Sequence, residues 1–301
     1  MAGCVKSVNH LLLAVMYVAV AAFAAVVGAF IAFDPLAPYA ERGWVHSGNS
    51  VLVPILMYHH FADEGAPGTV ISGGVFESHL IALRDGGYTA ISFQQLLDYV
   101  DHGAKLPDRP VVITIDDGYE SVYEVAYPLL KQYDMHAAVF IIGVLHGQDL
   151  YKETFHPVFP SSLTSEQAAE MTESGVISIQ SHSFDMHQYE PYETGPYRRG
   201  VMRRRGESER EYIAAFTDDF EMAAAQIESV FGNRPYVYSY PYGIGSGLTD
   251  RLLRDMGVRV TLTVTPGMNV VTMDSPGGLF SLRRFNVPGN TSPESLIKMI
   301  G

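Results

Sequence analysis

A regular alternation of short apolar runs with amphipathic stretches, from about residue 51 to the end, constrains this chain most. Strand–helix alternation of this kind predicts a parallel sheet with crossover helices, either an open doubly wound sheet or a barrel. The apolar runs predict strands at 51–58, 88–93, 111–115, 137–142, 176–180, 236–240, 258–264 and 281–287. The stretches between them predict helices at 76–84, 93–101, 122–133, 165–173, 209–231, 248–255 and 293–300.

Local signals support this division into elements. Thr164 and Gln167 form a capping-box pattern at the start of one predicted helix, and Gly175, Gly232 and Gly257 stand where helices should end. The strand at 111–115 is apolar on both faces, as parallel strands covered on each side are. No GxGxxG follows the first strand and no GxxxxGK[ST] occurs, so dinucleotide-binding and P-loop folds lose their main support. The predicted fold is therefore a distorted (β/α) barrel of about seven to eight parallel strands.

The N-terminal region predicts a membrane anchor. Residues 11–33 contain no charged side chain, and a helix of that length spans the roughly 30 Å hydrocarbon core of a bilayer. No clean small-x-small cleavage site interrupts the run before Asp34, so we expect an uncleaved signal anchor; a cleaved signal peptide is the alternative.

The flanks of this run set its orientation. Lys6 on one side, against Asp34 and Glu41 on the other, predicts a short cytoplasmic N-terminus at 1–10 and a large domain outside the cytoplasm. Residues 34–50 show no period and are rich in proline and glycine, which is typical of a linker. The large domain then occupies 51–301 of a single-pass protein of the cell membrane.

Charge and cysteine content exclude two classes of function. The formal net charge is −13, whereas a general nucleic-acid binder needs a basic surface. Cys4 is the only cysteine, so neither an intrachain disulfide nor a cysteine-based zinc site can form.

Two adjacent carboxylates, Asp116 and Asp117, directly follow the strand predicted at 111–115. At the end of a buried strand they repel each other and lose hydration unless a cation or proton accompanies them. A solvated Asp-Asp-Gly turn, which Gly118 permits, is the alternative. The carboxylates of a glycosidase flank a bond at roughly 5–9.5 Å from opposite sides, a placement that does not suit neighbouring residues.

Two histidines, His182 and His187, follow the strand predicted at 176–180. They share no face of one strand or one helix, but a loop can bring both rings to one point. Each alone is most simply a core or surface residue. Together with a carboxylate from the adjacent strand they form a three-ligand set that leaves metal positions open, as in catalytic zinc sites. Ser183 and Asp185 are candidates to orient the rings by hydrogen bonds.

Two further strand ends carry candidate groups. The strand at 236–240 ends in Tyr-Pro-Tyr-Gly, which is either an aromatic wall closed by a turn or a sugar-stacking surface with a backbone N–H near Tyr242 facing a developing oxyanion. His59 and His60 end the first strand, and either is a candidate proton donor near neutral pH.

Taken together, these segments resemble the polysaccharide deacetylases, the NodB-homology domains of carbohydrate esterase family 4, over roughly residues 53–287. Residues 114–119 are similar to the first motif of the family, 181–187 to the second and 240–243 to the third. The second motif usually has three residues between its histidines and here has four, a spacing similar to that of the poly-N-acetylglucosamine deacetylases.

The resemblance implies a role for each motif residue. Asp116 is implied as the catalytic base, and the Tyr242 amide as a donor to the oxyanion. Asp117, His182 and His187 are implied as ligands of Zn²⁺ or another divalent transition metal.

Two motifs of the family are missing. The late Leu-x-His motif that carries the general acid has no counterpart, because the strand at 281–287 contains no histidine. In the poly-N-acetylglucosamine branch a Tyr-His pair on the first strand supplies the acid, and Tyr58-His59 matches it, so we assign the acid to His59 rather than His60. The arginine–aspartate motif that tunes the base is not evident, and Arg283 or Arg284 is the candidate substitute.

The implied function is a metal-dependent hydrolase that removes N-acetyl groups from an extracytoplasmic polysaccharide containing N-acetylglucosamine, in a cell wall or a biofilm. An O-acetyl xylan esterase of the same family is one alternative. A non-catalytic wall-binding module is another, against which the presence of Asp116 argues. Two histidines and a carboxylate also ligate iron in non-haem oxygenases, but those are usually all-strand jelly rolls.

Residues 197–210 form an arginine-rich segment in an otherwise acidic chain. It is interpreted either as a solvated loop that leads into the helix at 209–231 or as a contact for an anionic wall polymer or lipid headgroups.

Overall fold

The computed structural model describes residues 48–63, 68–152, 154, 156–158, 160–188, 193 and 197–301. The predicted cytoplasmic segment, the membrane anchor at 11–33 and nearly all of the linker lie outside these residues. Within the described part of the chain, no helix combines the length and the apolar character required to cross a bilayer.

The strands and helices follow the predicted order. The strands are β1 (Ser50–Val53), β2 (Ile55–Tyr58), β3 (His60–Phe61), β4 (Val70–Ile71), β5 (Thr89–Ala90), β6 (Pro110–Ile115), β7 (Ala137–Ile141), β8 (Ile177–Ser181), β9 (Val237–Ser239), β10 (Val260–Leu262), β11 (Asn269–Thr272) and β12 (Phe285–Asn286). The helices are α1 (Gly73–Asp85), α2 (Phe93–His102), α3 (Tyr127–Gln132), α4 (Ser165–Glu173), α5 (Glu209–Phe231), α6 (Gly247–Asp255) and α7 (Pro293–Ile300).

One sheet organises the domain. Its strand order is β10-β9-β8-β7-β6-β2-β12, with β5 beside β6, and all of its pairings are parallel. Every residue of β6 and β7 is buried, as expected for strands covered on both faces. Because the carboxyl ends of parallel strands lie at one edge, the residues that follow β2, β6, β8 and β9 meet there.

The segment 282–287 spans the open side of this sheet. At its start Leu282 donates to the Thr261 carbonyl and accepts from the Thr263 N–H, both at 2.8 Å, beside β10. At its end Val287 donates to the Met57 carbonyl at 3.1 Å, and β12 pairs with β2. The fold is a parallel-stranded (β/α) half-barrel, in agreement with the predicted distorted barrel.

The helix ends agree with their sequence signals. Thr164 and Gln167 form the expected capping box at α4, and Gly232 ends α5 in the left-handed conformation at φ 75°. Three helices, α4, α5 and α7, have the predicted bounds.

Prolines account for two departures. The single strand predicted at 51–58 is divided at Pro54, and the chain changes partner there: β1 pairs antiparallel with β11, whereas β2 pairs with β6. The single helix predicted at 122–133 begins instead with a π-helical turn, Val122–Ala126, before α3. Pro128 has no N–H to donate to the preceding turn, which disfavours a continuous α-helix there.

Candidate active site

Asp116, directly after β6, is held by a fully buried arginine. Its two carboxylate oxygens accept from Nη1 and Nη2 of Arg284, each at 2.7 Å. The remaining N–H groups of the guanidinium donate to the Thr263 carbonyl, Thr114 Oγ1 and Ser239 Oγ. All five N–H groups of Arg284 are therefore used. This geometry identifies Arg284, rather than Arg283, as the arginine beside the predicted base.

Arg284 determines the ionisation of Asp116. Burial acts to raise the pKa of this carboxyl, but the charge of Arg284 is the largest opposing influence, and the pKa lies well below its usual value. Asp116, which is only 2% exposed, is thus an ionised carboxylate.

Asp117 turns away from Asp116 because the chain bends sharply after β6. Asp117 and Gly118 both have left-handed backbones, at φ 71° and 68°. Aspartate tolerates this conformation better than most residues, and glycine adopts it freely. A Cβ on Gly118 would also stand 2.9 Å from Cγ2 of Ile141 on β7. The Asp-Asp-Gly sequence therefore forms a tight turn packed against β7, and the alternative of a solvated turn is not supported.

His182 presents an unprotonated nitrogen to this turn. Its Nδ1 lies 2.8 Å from the Ser239 carbonyl, which can only accept, so Nδ1 carries the proton and Nε2 carries the lone pair. Burial, opposed by the charge of Asp116, lowers the pKa of the ring to about 4. His182 is accordingly neutral at neutral pH.

Asp117, His182 and His187 converge on one point. Asp117 Oδ1 lies 3.5 Å from Nε2 of His182 and 3.6 Å from Nε2 of His187. One ligand atom from each of the three lies within 4.8 Å of the others, and among the described residues no other group of His, Cys, Asp and Glu does so. Asp117 Oδ1 is buried and has no hydrogen-bond partner there.

This arrangement fits a divalent cation. The lone pair of His182 Nε2 faces a carboxylate oxygen, so two acceptors oppose each other with no proton between them, which is unfavourable unless a cation lies there. Two imidazoles and one carboxylate are a donor set typical of catalytic zinc.

The loop that follows β8 places His187 against Tyr242. Their ring centroids are 4.4 Å apart, and the Tyr242 hydroxyl donates to the Gln188 carbonyl at 3.0 Å. Tyr242 has a left-handed backbone at φ 57°, in the turn that follows β9. The structure therefore brings Tyr242 to the predicted site, with its ring packed on a histidine.

The two histidines after β2 have different surroundings. His60 Nδ1 is hydrogen-bonded to Ser121 Oγ at 2.9 Å, and its ring packs on Tyr119. His59 Nδ1 is buried without a hydrogen-bond partner among the described residues, and its charge helps to lower the pKa of Asp116. His59 is thus the one that is electrostatically coupled to the predicted base.

The prediction that Ser183 and Asp185 orient the histidine rings was wrong. Ser183 Oγ accepts from the Met186 N–H, and Asp185 pairs with Lys152 and Gln188, so the contacts of these two side chains are with residues other than the histidine rings. The Ser239 carbonyl orients His182 instead. A backbone carbonyl on a neighbouring strand carries no sequence signal, which is why the pattern could not reveal it.

The arginine-rich segment is mostly solvated, with one exception. Five of its arginines are exposed, as the solvated-loop interpretation predicts, but Arg198 is 4% exposed and forms a bidentate pair with Glu207. Arg199 lies over the face of Tyr242, with Cζ 5.5 Å from the ring centroid.

A cavity of about 370 Å³ opens beside the three convergent side chains. Asp117, His187 and Tyr242 line one side of it. The rest of the wall is aromatic and aliphatic, formed by Tyr119, Ile142, Leu145, Tyr151, Pro157, Val158 and Pro160. An apolar cleft with a few convergent polar groups is the usual form of a small-ligand site, and its aromatic wall suits a sugar face.

Several known proteins are similar to this chain in sequence. The profile of the polysaccharide deacetylases matches residues 103–261. YxkH of Bacillus subtilis (strain 168), provisionally assigned as a polysaccharide deacetylase, is 28% identical over 82% of this chain and 75% of that protein. The poly-beta-1,6-N-acetyl-D-glucosamine N-deacetylase of Escherichia coli (strain K12) is 24% identical over 78% of this chain, which spans only 37% of that protein.

A solved structure agrees with these relatives. The structure of IcaB from Ammonifex degensii superposes with a TM-score of 0.65 at 25% identity, covering 83% of this chain and 97% of that one. The family profile covers more than half of the chain and includes β6, β8 and β9 with the residues that follow them. The chain belongs to the polysaccharide deacetylase family and is a deacetylase enzyme.

Proposed function

We propose that this chain is a metal-dependent hydrolase that removes N-acetyl groups from an extracytoplasmic polysaccharide containing N-acetylglucosamine, with poly-β-1,6-N-acetylglucosamine as the favoured substrate. One observation carries the proposal: Asp117 Oδ1 and the lone pair of His182 Nε2 face each other at 3.5 Å beside an ionised Asp116. The relatives that act on poly-β-1,6-N-acetylglucosamine support the choice of polymer.

Asp117, His182 and His187 would hold the ion. With Zn²⁺ bound there, the site would polarise the acetyl carbonyl and lower the pKa of a metal-bound water. The apolar wall of the adjacent cavity receives the sugar ring and the acetyl methyl group.

Asp116 accepts the proton of the attacking water. Its Oδ2 lies 3.8 Å from Nε2 of His182, so the carboxylate stands next to the ligand set without belonging to it. Because Arg284 holds its pKa low, Asp116 is ionised throughout the neutral range and can accept that proton. His59 protonates the leaving amine, and the Tyr242 amide donates to the tetrahedral oxyanion.

The decisive experiment is Asp116→Asn in the purified protein. Acetate release from poly-β-1,6-N-acetylglucosamine should fall by roughly 10²–10⁴-fold, because amide nitrogen and oxygen cannot accept the proton. Zinc content, measured by atomic emission, should stay at the wild-type level, because Asp116 is not a ligand. Persistent activity would remove Asp116 from the role of base.

The same assay across polymers tests the substrate. Chitooligosaccharides and acetylated xylan serve as the comparison, with and without a chelator and zinc add-back. Release of acetate from xylan but from neither N-acetylated polymer would favour an O-acetyl esterase. Turnover of all three that is unaffected by the chelator would contradict the metal-dependent mechanism.

The extracytoplasmic location is proposed from the uncharged run at 11–33 and its flanking charges. Protease added to intact cells should remove the domain at 51–301. Its full protection in cells whose outer face is accessible would contradict this topology.

A further inference from the structure

The loop between the two histidines is hydrogen-bonded to a distant helix. The carboxylate of Asp219, on α5, accepts from the N–H of Phe184 at 3.0 Å and from the N–H of Asp185 at 2.7 Å. These two peptides lie midway between His182 and His187. Each oxygen of the carboxylate takes one peptide N–H, so both bonds fix the same short stretch of chain.

Asp219 stands where the helix would otherwise be apolar. The buried face of α5 includes Tyr212, Phe216 and Phe220, and Asp219 is only 8% exposed among them. Burial raises the pKa of its carboxyl to about 6, against the opposing effect of the two backbone hydrogen bonds. A carboxylate buried in such a face is unfavourable unless hydrogen bonds replace its hydration. Both carboxylate oxygens of Asp219 accept hydrogen bonds from this loop, and the carboxylate takes no part in the chemistry proposed above.

The opposite side of the loop is held by the end of β7. The N–H of Gly143 donates to the Ser183 carbonyl at 3.1 Å, and the N–H of Val144 donates to the Phe184 carbonyl at 3.0 Å. A Cβ on Gly143 would stand 2.4 Å from Cδ2 of Phe184, so the two chains are as close as backbone allows. The loop is therefore clamped between a strand end and the Asp219 carboxylate.

His187 depends on this clamp more than His182 does. His182 has its own orienting bond to the Ser239 carbonyl, and its N–H donates to the Ile141 carbonyl. The Nδ1 atom of His187 is buried and has no hydrogen-bond partner in the described part of the chain. Metal-binding histidines usually have such a partner, which sets the orientation of the ring. His187 is placed instead by its backbone and by the ring of Tyr242.

We infer that Asp219 is a positioning residue of the metal site: it holds the loop so that His187 Nε2 lies within reach of Asp117 Oδ1. The inference rests on the proposed function in that the three convergent side chains are taken as metal ligands. It also accounts for the four residues between the histidines, since the longer loop needs an anchor in its middle.

Zinc affinity tests the inference directly. Full-length wild-type protein, Asp219→Asn and Asp219→Ala are stripped of metal and titrated with Zn²⁺ against a competing chelator. We expect the dissociation constant to rise by roughly 10–100-fold in both variants, the usual effect of losing a group that orients a ligand. Leu96→Ala, on the buried face of α2 and outside the loop, is the control for general destabilisation. It should lower the melting temperature and leave zinc affinity unchanged.

Substitution by Co²⁺ supplies a spectroscopic signature. The visible absorption of bound Co²⁺ should change in the Asp219 variants and not in Leu96→Ala, because only the former move a ligand. Wild-type affinity and an unaltered Co²⁺ spectrum in folded Asp219→Asn would overturn the inference. Equal loss of affinity in Leu96→Ala would do the same.

A measurement on the wild-type protein covers the case in which the variants do not fold. In the metal-free protein, the amides of Phe184 and Asp185 should exchange with solvent deuterium as slowly as those of Gly143 and Val144. Exchange at the rate of an unstructured peptide would show that Asp219 does not hold the loop. Failure of the wild-type protein to bind zinc, with the amides protected, would instead count against the proposed function and leave the clamp intact.

Discussion

Arg284 is the residue whose charge decides how the site responds to pH. In the wild-type protein the pKa of Asp116 lies below the value of the unfolded chain, so its contribution to stability is present above that value and is lost as pH falls through the folded-state pKa. In Arg284→Met, burial is the main influence on the pKa of Asp116. The shift changes from lowered to raised, because a buried carboxyl without a cation has a raised pKa.

The acidic limb of kcat/KM against pH should therefore move to higher pH in Arg284→Met. The variant should also lose about 3–5 kcal/mol of unfolding free energy, because it leaves a buried charge unpaired. Arg284→Lys, which keeps the charge and loses the bidentate pairing, should show a smaller shift. An unmoved acidic limb in a folded Arg284→Met protein would disprove the electrostatic role.

His59 and His60 form a natural pair for testing the proton donor. His59→Gln should reduce acetate release by roughly 10²–10⁴-fold, because the leaving amine loses its acid. His60→Gln should leave most of the activity, since the His60 ring is already hydrogen-bonded to the Ser121 hydroxyl. Both variants are assayed at one pH with zinc in excess. The reverse ranking of the two would transfer the role to His60.

At the residue scale, sequence reasoning succeeded where a motif recurs at a strand end. Asp117, His182 and His187 were predicted as a set and do converge, because consecutive parallel strands deliver their C-terminal residues to one edge. The choice between Arg283 and Arg284 could not be made from the sequence. Which of two adjacent arginines faces inward depends on a register that only the folded strand defines. Asp219 gave no signal, since one aspartate in a helix is ordinary.

At the scale of elements, β8 and β9 meet through a side chain. They share a single register pair, Ser181 with Tyr238. Just before it, Gln180 Oε1 accepts from the backbone N–H groups of Tyr236 and Val237 at 3.1 and 3.0 Å. This amide replaces ladder bonds that the backbone does not form, and β9 carries the Ser239 carbonyl that orients His182.

Gln180→Leu should therefore lower the unfolding free energy by roughly 1–3 kcal/mol or more, because the buried Val237 N–H loses its acceptor and the partly buried Tyr236 N–H loses it too. Urea unfolding of the metal-free protein measures it. Gln95→Leu is the matched control, since Gln95 Oε1 accepts the exposed Ser92 N–H in a capping box and should cost about 1 kcal/mol or less. Equal losses in the two variants would contradict the bridging role of Gln180.

Elements with strong periodicity or clear caps were predicted to within a few residues, as α4 and α5 show. The short strands β9 and β10 lie within predicted runs, whereas β3, β4 and β11 were not predicted. The pairing of β1 with β11 was missed because β11 has only four residues, although Pro-Gly pairs at 266–267 and 276–277 mark turns on both sides of it. β3 and β4 have two residues each, too few for an alternating pattern.

For the whole molecule, the net charge of −13 has a consequence for turnover. On the proposed N-acetylated substrate, each acetyl group removed would leave an ammonium group on the polymer, so the product would become cationic while the enzyme is acidic. Binding of a partly deacetylated polymer should weaken severalfold between about 50 and 500 mM salt, as screening shortens the range of the attraction. Binding of the fully acetylated polymer, measured in parallel by calorimetry, should change little. Equal salt dependence of the two would exclude this attraction.

The segment 282–287 connects β10, a late strand of the sheet, to β2, its first strand, and it carries Arg284 to Asp116. Until that segment docks, the Asp116 carboxylate has no countercharge, and burial favours its protonated form. Synthesis must thus proceed past residue 287, beyond every motif residue, before the base has its countercharge. A polypeptide that stops before residue 284 but retains all the motif residues is expected to lack the ionised base at neutral pH.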